Sequence, residues 1–203
     1  GKIQHICEVT HLALNQHVLG PQERLLSFCD ANRDLYISNL LANGAVGGKG
    51  QPKIPTYKLH SHVESCVFSD DTDVLVGLAD GRLHTWYQPG VAFIDRDLLP
   101  LTTNSSEAQE YGRGAQLLGH SGSRIIIRKI DGCMVFAATN VDISLLYDLC
   151  RANKWEESMR LCRHQKSSHL WACLAALSLT KKQLNIAENA LAELNEVAKV
   201  EYI

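Results

Sequence analysis

Two cysteines and two histidines near the middle of the last third of the chain are the residues best suited to bind a metal. They are Cys162, His164, His169 and Cys173, and the last two lie one helical turn apart. Thiolate sulfur and imidazole nitrogen are the usual zinc ligands. No pair, however, has the short spacing of a zinc knuckle, and Cys173 falls on an apolar stripe. We therefore predict buried thiols beside a polar histidine, with no metal and no cofactor. A zinc site in a metal-binding protein or enzyme is the alternative.

The chain carries no complete catalytic motif. Lys49 follows two glycines, but neither Ser nor Thr comes after it and no helical pattern starts there, so we expect a solvated loop and not a nucleotide site. Asp95 and Asp97 flank Arg96, whose charge favours ionised carboxylates and disfavours a general acid, so we expect an ion-paired turn. Because nucleophile-elbow, zincin and Ser, His and Asp patterns are also missing, the sequence predicts no catalytic residues and no enzyme.

Composition argues against several classes of partner. The formal net charge is −2, with acids and bases interspersed, which disfavours nucleic-acid binding through a basic field. No apolar run is long enough to span a bilayer, so we expect no direct membrane insertion. The cysteines number 7, are scattered and include no CxxC pair. That usage indicates a reducing compartment and no disulfide framework.

Strand–turn–strand segments repeat along the first two thirds of the chain. An apolar–polar alternation at residues 9–15 recurs at residues 63–69. Hairpin turns are predicted at Asn32, at Asp80 with Gly81, and at Ser121 with Gly122; the hairpins cover residues 24–38, 73–87 and 115–130. The repeat of roughly forty to fifty residues is typical of four-stranded propeller blades. Three blades do not close a ring, so we expect the missing blades to precede Gly1. Polar loops are predicted at residues 41–55 and 102–114.

The last third changes to a helical period. Apolar residues recur at i, i+3, i+4 and i+7 in three successive segments, and a fourth segment keeps the same helical period. The four segments begin at Ile143, Trp155, Leu170 and Ile186. Asp142 is predicted to cap the first helix, and Ser167 or Ser168 the third. Six large apolar residues are candidate anchors for helix packing or for a partner interface, with packing favoured: Trp155, Met159, Trp171, Leu174, Leu191 and Leu194.

These patterns predict a mixed chain, β then α. Residues 1–140 are expected to form the last blades of a WD40-type β-propeller, and residues 141–203 antiparallel helical hairpins that start a TPR-like α-solenoid. A propeller followed by stacked helix pairs is typical of a scaffold, with rigid faces for docking other proteins. A scaffold of a vesicle coat or of another membrane-trafficking complex has the same plan and is the alternative function.

Several segments resemble the intraflagellar transport protein 80 family, in the same order along the chain. They are residues 32–37, 86–87, 93–100, 153–163, 170–176 and 186–190. The resemblance implies two seven-bladed propellers followed by helical repeats, with this chain covering the end of the second propeller and the first helices. It is weakest at residues 41–55 and 102–114. Trp86 is followed by Tyr87, where propeller repeats of this type usually have Trp-Asp.

The resemblance also implies a function. Members of the family are non-enzymatic subunits of the intraflagellar transport B complex and are needed to assemble cilia or flagella. It implies binding to other subunits of that complex, including one with a calponin-homology domain, and a possible homodimer through the C-terminal helical region. The expected location is the cilium or flagellum, the basal body and the cytoplasm.

Overall fold

The computed structural model describes residues 5–16, 24–40, 54–106 and 109–202. Within these ranges the β-strands all precede the α-helices. The first sheet is antiparallel and its strands lie in sequence order: β1 Val9–Leu14, β2 Leu25–Asp30, β3 Leu35–Asn39 and β4 Thr56–His60. A four-stranded meander of this kind is the plan of a propeller blade.

Two further sheets repeat the arrangement. The second has four strands in sequence order: β5 Val63–Phe68, β6 Leu75–Ala79, β7 Arg82–Trp86 and β8 Thr103–Ser105. The third has three strands, with β10 in the centre: β9 Gln116–Ser121, β10 Arg124–Arg128 and β11 Met134–Ala138. The three predicted hairpins are therefore confirmed as β2–β3, β6–β7 and β9–β10.

The turns show which residues allow the chain to reverse. Asp80 and Gly81 both have positive φ (50° and 77°), as a two-residue type I′ hairpin turn requires. A Cβ on Gly81 would also lie only 3.0 Å from the backbone of Gly112. In the first hairpin the predicted turn at Asn32 is present, and the next residue, Arg33, takes the positive φ (63°). There the Asp30 carboxylate accepts backbone N–H groups from residues 32 and 34 at 2.9 and 3.0 Å.

The sequence reading missed three strands. β4 follows the predicted loop at residues 41–55, and β8 lies inside the predicted loop at residues 102–114. β11 has an exposed and half-buried pattern with no fully buried residue. These strands are short or lie outside the buried centre of a sheet, so their hydrophobic periodicity is weak. Their strand conformation depends on pairing with a neighbour that is already in place.

Polar side chains join consecutive sheets. Asn15 Nδ2, after β1, donates to Asp73 Oδ1 before β6 at 2.8 Å. Ser65 Oγ in β5 accepts the backbone N–H of Leu117 in β9 at 3.0 Å. Since β1 contacts β5 and β5 contacts β9, the three sheets pack in series within one compact unit, as successive blades do.

Glu64 in β5 is the carboxylate that contacts both neighbouring sheets. Its Oε2 accepts the N–H of Gly114 at 2.8 Å, and its Oε1 lies 3.5 Å from the guanidinium of Arg33. We expect Glu64→Ala to lower the free energy of unfolding by about 1–2 kcal/mol, because it removes a charged acceptor from a backbone donor. Urea unfolding measures this effect. Glu188→Ala, at an exposed position of α4, is the control, and an equal loss in both variants would contradict the role of Glu64.

The helices begin after the third sheet. They are α1 Val141–Arg151, α2 Trp155–Gln165, α3 Ser168–Thr180, α4 Leu184–Glu193 and α5 Val197–Tyr202. The buried residues of α1 and α4 are those of the predicted stripes, except that Leu194 lies after the last residue of α4 as its C-cap.

The cap prediction for Asp142 is wrong, because Asn140 is the N-cap and its Oδ1 accepts the N–H of Asp142 at 2.9 Å. Ser167 is the N-cap residue of α3, as one of the two alternatives proposed.

The chain forms two compact units. The sheet unit contains the described residues as far as Thr85 together with those of Ser105–Thr139. The helical unit contains Asn140–Tyr202 and also Trp86–Asn104, a segment with three short 3₁₀ helices. The domain boundary near residue 140 stays a prediction. It coincides with the start of α1, whereas the segment 86–104 belongs to the helical unit although it precedes that boundary.

Candidate protein-interaction site

Helix α3 is the centre of the helical unit. Nine consecutive residues, Leu170 to Ser178, are buried, and α3 contacts α1, α2, α4 and the 3₁₀ helix Pro100–Thr102. A helix that is apolar on every side is a core helix. Ala172, Ala175 and Ala176 are fully buried, and their small side chains allow neighbouring elements to approach closely. The predicted stripe on α3 was too narrow, because it covered one face only.

The six candidate anchors differ in how deeply they are buried. Met159, Trp171, Leu174 and Leu191 are buried, whereas Trp155 and Leu194 are half-buried. Burial is what helix packing requires, and the exposed part of the other two side chains is available for contact with another molecule. Whether any of the six takes part in an interface stays a prediction.

Two donors, one buried and one half-buried, attach the segment 86–104 to the helices. The hydroxyl of Tyr147 in α1 donates to the carbonyl of Tyr87 at 2.8 Å and also bonds Gln88 Oε1. His169 Nδ1 in α3 bonds the carbonyl of Leu101 at 2.8 Å, so Nδ1 must carry the hydrogen, since a carbonyl only accepts. No local pattern in the sequence indicates these bonds, which join residues 60 and 68 positions apart.

We expect Tyr147→Phe to lower the free energy of unfolding by about 1–2 kcal/mol, because buried acceptors on Tyr87 and Gln88 lose their donor while the ring is kept. Chemical denaturation of the two proteins measures the difference. Tyr202→Phe is the matched control, since Tyr202 is 92% exposed. The assignment would be wrong if both variants had the stability of the parent.

An apolar groove of about 630 Å³ opens on the helical unit. Its lining consists of Ile94, Asp95, Leu179, Leu184, Leu191, Ala198, Lys199 and Tyr202. Leu184 is 49% exposed, so the groove presents apolar surface to solvent. Leu191 is the one predicted anchor in this lining.

The edge of the groove carries the predicted ion-paired turn, and a lysine from α5 takes part in it. Lys199 Nζ in α5 lies 2.6 Å from Asp95 Oδ2 and 3.6 Å from Asp97 Oδ2. Burial alone would lower the pKa of Lys199, yet the Asp95 carboxylate and its acidic neighbours raise it overall. Asp95 Oδ1 also accepts the N–H of Asp97 at 3.0 Å. The turn is therefore an anionic site for a lysine 104 residues further along the chain.

The cysteines and histidines of the candidate zinc site do not converge. Cys162 and Cys173 are fully buried, and burial raises the pKa of Cys162 to about 12 and that of Cys173 well above its usual range. His164 is exposed, and His169 Nδ1 is engaged with Leu101. Thiols of this kind stay protonated at neutral pH and pack as small apolar side chains.

Among the described residues, the atoms that could hold a metal come together only at His5, Cys7 and Asp30, within 4.8 Å of one another. His5 Nε2 lies 3.2 Å from Asp30 Oδ2, and the His5 ring packs against the rings of Phe28 and Tyr36. These contacts hold the chain entering β1 against the β2–β3 hairpin. The sequence reading missed this cluster because its members are separated by up to 25 residues.

Two further predictions concern the loop with Lys49 and a membrane-spanning helix. The glycine-rich segment with Lys49 lies outside the described residues. In the part of the chain that the structure describes, none of the helices combines the length and the hydrophobicity that a membrane crossing requires.

Two family models match the chain. The model described as "IFT80 second beta-propeller" matches residues 1–142. The model described as "IFT80/172/WDR35/WDR19 TPR domain" matches residues 170–203. Together with the antiparallel sheets and the helices that follow them, these matches confirm the predicted fold, in which a propeller is followed by a TPR-like helical region.

Two curated relatives point to the same family as the family models. The chain is 35% identical over 204 residues to the "Intraflagellar transport protein 80 homolog" of Rattus norvegicus and equally to that of Mus musculus. Each alignment covers 100% of this chain and 25% of the relative. The chain therefore spans a quarter of the length of these relatives.

Proposed function

The chain belongs to the intraflagellar transport protein 80 family, and from this premise we propose that it is part of a non-enzymatic scaffold subunit of the intraflagellar transport B complex. In this role it mediates protein–protein assembly during formation of cilia or flagella. The proposed location is the cilium or flagellum, the basal body and the cytoplasm.

One observation supports a scaffold above all: several of the described polar groups that the sequence offered for chemistry are engaged in holding the fold together. His169 bonds a backbone carbonyl, Asp95 pairs with Lys199, and the thiols of Cys162 and Cys173 are buried and protonated. A protein of this kind presents fixed surfaces for docking. The sheets packed in series supply such a surface in one unit, and the helices around the buried α3 supply one in the other.

We further propose that the helical unit carries the contact with partners. The partners are other subunits of the complex, among them one with a calponin-homology domain, and a second copy bound through the C-terminal helices. The apolar groove lies in this unit, with Leu184 and Tyr202 exposed at 49% and 92%. Apolar surface of this kind on a repeat protein is typical of docking faces.

The test uses the full-length protein in ciliated cells. We expect affinity purification to recover intraflagellar transport subunits, and light scattering after size exclusion to give the mass of a dimer. Leu184→Asp places a charge in the groove and should reduce the dimer or a subunit partner. Leu145→Asp, at a similarly exposed position of α1 (46%), is the matched control and should not.

Two outcomes would contradict the proposal. One is a strict monomer that recovers no intraflagellar transport subunit. The other is recovery of vesicle-coat subunits instead, which would support the trafficking scaffold named above as the alternative.

A further inference from the structure

Two cysteines from adjacent sheets meet inside the sheet unit. Cys29 is in β2 and Cys66 is in β5, and their Sγ atoms are 3.9 Å apart although 37 residues separate them in the chain. Cys29 is 1% exposed, while Cys66 is half-buried. One cysteine is therefore shielded and the other half-buried, at a place where two blades pack together.

The surroundings distinguish the two thiols chemically. Cys29 donates a hydrogen bond to Cys66, and Ser27 Oγ lies 3.7 Å from the same Cys66 sulfur. The bond from Cys29, with the help of Ser27, lowers the pKa of Cys66 although burial opposes this. The bond to Cys66, together with burial, raises the pKa of Cys29. The thiolate is the reactive form of cysteine, so this difference favours Cys66 over Cys29 as the nucleophile of the pair.

No side chain lies directly across from Cys66 on strand β6. A disulfide requires an S–S distance of about 2 Å, so the side chains must rotate toward one another. Gly77 lies directly across from Cys66 in the β5–β6 pairing and has no side chain. Rotation of Cys66 is therefore not blocked by a cross-strand neighbour at that position.

We propose that Cys29 and Cys66 form an oxidative modification site, at which a hydroperoxide converts the two thiols into a disulfide that links adjacent blades. In the first step the Cys66 thiolate attacks one oxygen of hydrogen peroxide. An S–O bond forms, the O–O bond breaks, and hydroxide leaves and takes a proton from solvent. In the second step the Cys29 sulfur attacks the sulfenic sulfur of Cys66. The S–S bond forms, the S–O bond breaks, and the departing hydroxide takes the Cys29 proton.

The balance is complete. Two thiols and one hydrogen peroxide give one disulfide and two waters, so each sulfur gives up one electron and the two peroxide oxygens are reduced. The oxidant is supplied from outside the protein. The product covalently joins β2 to β5, which noncovalent contacts alone hold together in the reduced protein.

The experiment treats the full-length protein, in its native state, with hydrogen peroxide, blocks remaining thiols with N-ethylmaleimide, and maps tryptic peptides without reduction. Peptides 25–33 and 59–82 each contain one of the two cysteines and no other. We expect these peptides to be linked, with the loss of two hydrogen atoms, and to separate after reduction. Cys133→Ser removes the exposed thiol and should leave the link unchanged.

Three variants test the assigned roles. In Cys29→Ser, Cys66 should be captured by dimedone as the sulfenic acid, whereas in Cys66→Ser no adduct should form on Cys29. Ser27→Ala should slow the oxidation of Cys66 severalfold. The proposal is overturned if peroxide leaves both peptides singly alkylated in the native parent protein while Cys133 is oxidised. It is equally overturned if dimedone labels Cys29 in the Cys66→Ser variant. The first of these readouts needs no variant, so it holds even if a substitution impairs folding.

Discussion

Trp171→Ala is expected to lower the free energy of unfolding by about 3–5 kcal/mol, the range for removal of a buried tryptophan. Trp171 is 6% exposed and lies on α3, where the surrounding residues are also buried. The substitution leaves a cavity that the packed neighbours fill only in part. Chemical denaturation followed by circular dichroism measures the loss.

Trp155 provides the matched comparison, because the same substitution is made at a half-buried position. Trp155→Ala should have a smaller effect on the free energy of unfolding, since less of the side chain is removed from the core. If Trp155 contacts a partner, its loss should weaken partner binding more than it weakens the fold. Equal destabilisation by the two substitutions would show that the two tryptophans do not differ as their burial indicates.

The stability of the sheet unit is expected to fall as the pH is lowered from 6.5 toward 4, because of His84. This residue is 8% exposed; its Nδ1 bonds Ser105 Oγ at 2.8 Å, and its ring lies 4.3 Å from that of His60. Burial, with the nearby charges of His60 and Arg82, lowers the pKa of His84 from 6.5 to about 4. In the unfolded chain His84 takes up a proton near pH 6.5, whereas in the folded protein it resists protonation until about pH 4.

The difference between the unfolded and folded pKa of His84 sets the sign and the size of the change in stability. A group whose pKa is lowered on folding stabilises the native state fully above its unfolded pKa, and that stability is lost as the pH falls. At about 1.4 kcal/mol per pKa unit, the loss amounts to roughly 3 kcal/mol by pH 4. Urea midpoints measured across this range should decrease, and they should decrease less in His84→Gln.

His164→Gln is the control for that experiment, since His164 is exposed. Burial also lowers the pKa of His120, which contributes in the same direction, so the informative quantity is the difference in slope between His84→Gln and the parent. The explanation fails if the two proteins lose stability in parallel between pH 6.5 and 4.

The sequence alone determined that β-strands precede α-helices along the chain, and it determined much of the local structure. The hairpin turn at Asp80 and Gly81 and the buried stripes of α1 and α4 were predictable, because turn geometry and helical period depend on residues that are close in the chain. The resemblance to a known family added the architecture to which these elements belong. The error in the cap of α1 was small, because the N-cap is Asn140 and the predicted residue was Asp142, two positions later.

Only the tertiary structure decided which distant residues meet. Lys199 as the partner of Asp95, the bonds from Tyr147 and His169 to the segment 86–104, and the approach of Cys29 to Cys66 join residues between 37 and 104 positions apart. No periodic pattern encodes such pairs, because they result from how whole elements pack. The sequence therefore left open the partners of these cysteine, histidine and aspartate side chains. The partner of each group, and hence its charge and reactivity, is set by residues far away in the sequence.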